Sequence, residues 1–145
     1  MPSRIEETLL HAQFLARHLD EYDLQCAVIA VLVDLGFATN REGFAYLVQA
    51  VMLFVRNPLC RTTKELYPLI VEDVNQDNSD QIENAIRSVI LEAWENRDES
   101  VWQVYFRANR NGAVKKPTNA VFISQIGYFM ILWQGCCRKE VRIGK

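Results

Sequence analysis

Apolar residues recur every three or four positions from Ile5 to Trp133, broken only by short polar stretches, and no run alternates apolar with polar for long enough to make a strand. A chain patterned this way is expected to be all-α, with six to seven helices. At 145 residues, half of them hydrophobic, it can fill one core, so a single domain is expected. Its parts read as an extra N-terminal helix (1–22), a main helical unit (23–134) and a basic tail (135–145).

The punctuation between apolar stripes sets the helix ends. Ser3-x-x-Glu6 is a capping box, followed by Ile5, Leu9, Ala12, Ala16 and Leu19 at helical spacing, which predicts a first helix to about Leu19. Asp23 can cap a second, carrying Leu24, Ala27, Val28, Val31, Leu32 and Leu35 and stopped by Gly36. Because Ala27 to Val33 is apolar almost all round, this helix is expected to be central and buried. Asn40 can cap a third, with Phe44, Leu47, Val48, Val51, Met52 and Val55 inward, and Asn57-Pro58 ends it.

Beyond Pro58, Thr62-x-x-Glu65 opens a helix with Leu66, Leu69, Ile70 and Val74 inward, in which Pro68 either bends the helix or marks a delayed first turn. The break "NQDNSD" follows, and Asn78-x-x-Gln81 caps a helix with the stripe Ile82, Ala85, Ile86, Val89, Ile90, Ala93 and Trp94. A short helix at about Ser100 to Phe106 leads to "RANRNGAVKKPTN", an extended basic loop. Thr118 or Asn119 starts the last helix, with Val121, Phe122, Ile126, Phe129, Met130 and Trp133.

Two helices flanking a short polar break raise the prospect of a helix-turn-helix. If the second of them buries its apolar stripe, Asp80, Gln81, Glu83, Asn84, Arg87 and Ser88 turn outward near its N-terminal half, where a recognition helix meets base edges. Arg87 suits a bidentate contact to guanine, Asn84 or Gln81 to adenine, and Glu83 can accept from a cytosine amino group. An ordinary solvated helix face would carry much the same residues.

Charge divides the chain. Residues 61–99 hold four basic and ten acidic residues, a net of about −6, whereas residues from Ser100 onward reach a net of about +7. Acidic surface beside the proposed reading head opposes phosphate binding, so Arg107, Arg110, Lys115 and Lys116 would have to supply the backbone contacts. A solvated loop and a frayed basic tail would give the same count.

Other chemistry finds no footing. Cys26, Cys60, Cys136 and Cys137 show no C-x-x-C spacing, and with only His11 and His18 to complete a site no metal or other cofactor is expected. The adjacent Cys136 and Cys137 could cross-link chains on oxidation. There is no phosphate-binding glycine loop, no G-x-S-x-G and no H-E-x-x-H, so no catalytic residue is proposed and the protein is not expected to be an enzyme. "CAVIAVLVDLGF" and "AVMLFV" are too short to cross a bilayer, and no leader opens the chain, so a cytoplasmic protein without membrane contact is expected.

The blocks "VDLGFATNREGFAYLVQAV", "TKELYP", "IENAIRSVILEAW" and "KKPTNAVFI" occur in order and, apart from about one extra residue between the paired helices, at the right spacing. Together they resemble the C-terminal effector domain family of the stage-zero sporulation response regulator, the master transcription factor of endospore formation in Firmicutes, over roughly Val33 to Leu132. The resemblance implies a six-helix all-α domain whose helix-turn-helix binds a promoter box in double-stranded DNA, often as tandem copies. It implies that Glu83 and Arg87 stand at base-facing positions, Asn84 where the family has a second arginine, and Ser88 where it has a histidine near the phosphates. Lys116 matches a lysine at the start of the last helix.

The departures are Glu72 and Asp73, where the family is lysine-rich, and the arginine lost at Asn84, a contact type that gives about 1–3 kcal/mol of discrimination. Only about thirty residues precede the matching region, too few for a phosphorylatable receiver; a Leu9/Leu10/Phe14 face could instead pack on the domain or on a second subunit. Two functions follow: a sequence-specific transcriptional regulator acting as a homodimer or tandem pair, or a protein-interaction module or antagonist that keeps the fold and binds a regulator protein instead of DNA.

Overall fold

The structure, a computed structural model, describes residues 24–58, 66–70, 79–106 and 114–143, with Thr8 and Leu10, and gives the backbone alone from 137 onward. The expected first helix other than Thr8 and Leu10, the Thr62/Glu65 box, Glu72 and Asp73, the Asn78 cap, and Arg107 and Arg110 lie outside the described residues. Among the described residues the helices with defined bounds are α1 (Leu24–Asp34), α2 (Glu42–Arg56), α3 (Ser79–Glu95), α4 (Glu99–Tyr105) and α5 (Asn119–Ile143), with further helical residues at 66–70 and at Thr8 and Leu10. The protein is all-α, as its periodicity predicts.

Local signals explain several boundaries. Gly36 takes φ 92°, and the Phe37 and Gly36 amides donate to the Leu32 and Val33 carbonyls, both at 3.0 Å, so a left-handed glycine closes α1. The Asn57 amide donates to the Leu53 and Phe54 carbonyls, ending α2 before Pro58. α4 starts at Glu99, one residue earlier than expected, because the Asp98 side chain accepts from the Ser100 amide. Thr118 caps α5, its hydroxyl accepting from the Val121 amide at 3.2 Å.

Elsewhere tertiary packing prevails over the sequence pattern. The N-cap of α2 is Arg41, without a side-chain cap, rather than Asn40; its guanidinium instead donates to Glu92 of α3 at 3.0 Å. α1 is not central: it buries Ala27, Val28, Val31 and Leu32 while Val33 is half exposed. The central pair is α2 and α5: α2 packs against α1, α3 and α5, and α5 against all four other helices. At 66–70, Leu66, Tyr67 and Ile70 face the core, and Leu69 lies on the exposed side with Pro68. The last helix runs unbroken to Ile143, so the basic segment continues it rather than leaving it. Cys136 is buried, which turns its thiol away from a cross-link between chains.

The interior is aromatic. Trp102 is fully buried, stacks on Phe106 with ring centroids 5.2 Å apart and donates its indole N–H to the Leu35 carbonyl at 3.1 Å. The Tyr105 hydroxyl donates to Asp34 at 2.8 Å, and burial together with that carboxylate pushes its phenol well above the usual range. These contacts tie α4 to the end of α1. Near the N-terminus, the Thr8 hydroxyl donates to the Val104 carbonyl at 2.8 Å, while Leu10 is exposed. No helix among the described residues is long and apolar enough to cross a membrane.

Candidate nucleic-acid interface

Orientation of α3 follows from its stripe. Ile82, Ile86, Val89, Ile90 and Ala93 are buried, and Ala85 and Trp94 pack against the core at its edge. Burial of that face leaves Gln81, Asn84, Arg87 and Ser88 exposed and Glu83 at the boundary.

The close packing of α3 on α2 depends on Gly43, since a Cβ there would overlap the carbonyl oxygen of Ala85. Only glycine permits this approach. The neighbouring Arg41–Glu92 ion pair spans the same two helices from the solvent side.

Arg87 does not extend into solvent alone. Its guanidinium donates to the Asn84 side-chain oxygen at 3.1 Å and pairs with Glu83, one turn earlier, at 3.4 Å. Both partners are themselves candidate base-reading residues. Three of the five thus form one exposed hydrogen-bonded group, weakly held because solvent screens it.

Beside this group opens a cleft of about 510 Å³ between α3 and the start of α5, lined by Glu83, Arg87 and Ile90 on one wall and by Lys116 to Ala120 on the other. Lys115 and Lys116 are exposed, whereas Val114 and Pro117 on either side of them are buried. The fold therefore brings Lys116 to Glu83 and Arg87, although more than twenty-five residues of chain separate them. Gln81 and Ser88 lie on the same helix outside the cleft lining.

The two walls are fastened by Asn119. Its side-chain amide, almost fully buried, donates to the backbone carbonyl of Glu83 at 2.9 Å and to the Tyr67 hydroxyl at 3.2 Å. One residue thus joins the helix at 66–70, α3 and α5. In the sequence Asn119 reads as a cap candidate, and Gly43 as one small residue in a helix; their contacts are tertiary, and no local pattern marks them.

A second fastening holds the far side. The Glu99 carboxylate accepts the Val114 amide at 2.9 Å through one oxygen and the Arg97 Nε at 2.7 Å through the other. These bonds, that of the Val114 amide foremost, hold its carboxyl below the ordinary carboxylate range. Arg97 in turn lies over the Trp94 ring, 3.6 Å from its centroid, and donates to the Trp94 carbonyl at 2.9 Å. Among the described residues, no cluster of three or more potential metal ligands is assembled.

Comparison with known families gives one result that bears on this geometry. The model of the family described as "Sporulation initiation factor Spo0A C terminal" matches residues 28–129. The matched span covers well over half the chain and includes α3, the Glu99 fastening, Lys115, Lys116 and Asn119.

Proposed function

Because the chain belongs to the Spo0A C-terminal family, a family of DNA-binding effector domains rather than of enzymes, we propose that it is a sequence-specific transcriptional regulator that lays α3 in the major groove. The observation that carries this reading is the shared rim of one cleft. Glu83 and Arg87, suited to base edges, stand beside Lys116, suited to a phosphate.

On this reading Arg87 exchanges its bonds to Asn84 and Glu83 for a bidentate contact to guanine. Asn84 or Gln81, released or already exposed, pairs with adenine, and Glu83 accepts from a cytosine amino group. Ser88 lies where α3 approaches the backbone, and Lys115 and Lys116, joined by Arg107 and Arg110, neutralise phosphates. The protein acts as a homodimer or tandem pair on its promoter box.

A fluorescence-anisotropy titration onto pooled random duplexes at about 50 and 200 mM salt tests it, because a protein with several phosphate contacts loses decades of affinity over that range. Tight, steeply salt-dependent binding is expected. Absence of binding at low salt would overturn the reading in favour of a protein-interaction module. That second function draws on the acidic balance of residues 61–99 and on the neutralisation of Arg87 by Glu83. Its own signature is a stoichiometric complex with a regulator protein and no retention on DNA.

A further inference from the structure

The two exposed lysines occupy a very short stretch of chain that is held at both ends. On the C-terminal side, buried Pro117, the Thr118 cap and Asn119 fix the start of α5 against α3. On the N-terminal side the hold is the Glu99 carboxylate on the Val114 amide. Glu99 is itself steadied by Arg97, whose guanidinium covers Trp94 near the end of α3. A connected path therefore runs from the proposed reading helix through Trp94, Arg97 and Glu99 to the residue before Lys115.

We infer that Glu99 is a positioning residue for nucleic-acid binding: by clamping the Val114 amide it presents Lys115 and Lys116 at the phosphate distance set by α3. An acidic residue thereby supports the binding of a polyanion without touching it. This rests on the DNA-binding reading above. It explains why an acidic side chain stands so close to the basic segment: one carboxylate oxygen accepts the Val114 amide, and the other pairs with Arg97, which offsets its charge. With the clamp absent, Lys115 and Lys116 retain their charge but lose their register, and ordering them on DNA costs side-chain and backbone freedom.

The test is a cycle of variants of the whole protein: Glu99→Ala, Glu99→Gln, the pair Lys115→Ala with Lys116→Ala, and Glu99→Ala in that double background. Binding to random and selected duplexes is measured across a salt series, alongside hydrogen exchange of the Val114 amide in the protein without DNA. Glu99→Ala is expected to weaken binding to every duplex several-fold, with base preference intact and a shallower salt slope. Glu99→Gln, whose amide oxygen still accepts the Val114 N–H, restores most of the loss. In the lysine-free background Glu99→Ala adds no further loss, because the residues it positions are gone.

Full additivity of the Glu99 and lysine changes, or unaltered affinity in Glu99→Ala, would overturn the inference. If the wild-type protein binds no duplex, the functional reading fails on its own. The role in nucleic-acid binding falls with it, and the clamp itself is judged by Val114: accelerated exchange in Glu99→Ala sustains the hold on the lysine segment, and unchanged protection removes it.

Discussion

The side-chain amide of Asn119 donates to the backbone carbonyl of Glu83 across 2.9 Å, so the first residue of the last helix grips α3 at the turn that carries the candidate base-reading residues Glu83, Asn84 and Arg87. The same amide reaches the Tyr67 hydroxyl. A buried donor with two acceptors on separate elements sets their relative position rather than merely capping a helix.

Asn119→Ala is therefore expected to lower unfolding stability by about 1–3 kcal/mol, the usual cost of breaking a buried hydrogen-bonded group. It should also weaken DNA binding at temperatures where the protein remains folded. Asn119→Asp should be worse, because a carboxylate would face the Glu83 carbonyl. Denaturant titration gives the first quantity; an unmoved midpoint would mean the bond does nothing.

Gly43 and Gly127 offer a matched pair. A Cβ at Gly43 meets the backbone of Ala85, and one at Gly127 meets the Phe54 ring. A ring can turn and a helix backbone must move whole. Gly43→Ala should destabilise by about 1–3 kcal/mol through overpacking, offset in part by the better helix propensity of alanine, roughly 1 kcal/mol. Gly127→Ala should cost less. The order of the two thermal midpoints decides the matter.

The candidate reading face and the lysine segment beside it predict different outcomes. Arg87→Ala should relax base preference with little change in salt slope, whereas Lys115→Ala with Lys116→Ala should weaken binding on all sequences and flatten the slope by about 2. Glu83→Gln removes a negative charge beside phosphates and loosens Arg87, so non-specific affinity should rise a few-fold at low salt. Equal loss of specificity from the arginine and lysine variants would contradict this division of labour.

Acid should act through the carboxylates at the start of α4. The Ser100 side chain and amide hold Asp98 below its ordinary range, and the Val114 amide with Arg97 does the same for Glu99. Groups with depressed folded-state pKa bind fewer protons folded than unfolded, so the stability they give is fully present above the unfolded value, roughly 4, and is lost as pH falls through the folded one. Thermal midpoints should be level near neutrality and fall below about pH 4. The Glu99→Gln protein should show a shallower acid limb, and an identical limb would show that Glu99 carries none of it.

Local chemistry was legible in the sequence. Gly36, Pro58, Thr118 and the Ile82/Ile86/Val89/Ala93 stripe act within a turn or two of chain, and each does what its residue type predicts. The features that escaped are those in which a side chain answers to a distant partner. Arg41 displaced Asn40 at the cap of α2 while engaging Glu92. Apolar character all round α1 suggested a central helix, yet centrality depends on how many neighbours a helix has: α2 packs against three helices and α5 against all four others. Gly43, Asn119 and Glu99 position the candidate site through backbone contacts at Ala85, Glu83 and Val114, and nothing in a one-dimensional pattern distinguishes them from an ordinary glycine, cap or surface acid.

The guanidinium lying on Trp94 also has an optical consequence. Of the three tryptophans, Trp102 and Trp133 are sealed in the interior, and Trp94 is only partly buried, its ring edge-on to Trp102 at 5.6 Å. A collisional quencher such as iodide can thus reach a single emitter. Any event that lifts Arg97 from that ring changes the quenching of Trp94 alone, and the molecule carries its own unlabelled fluorescent gauge at the corner where α3 ends.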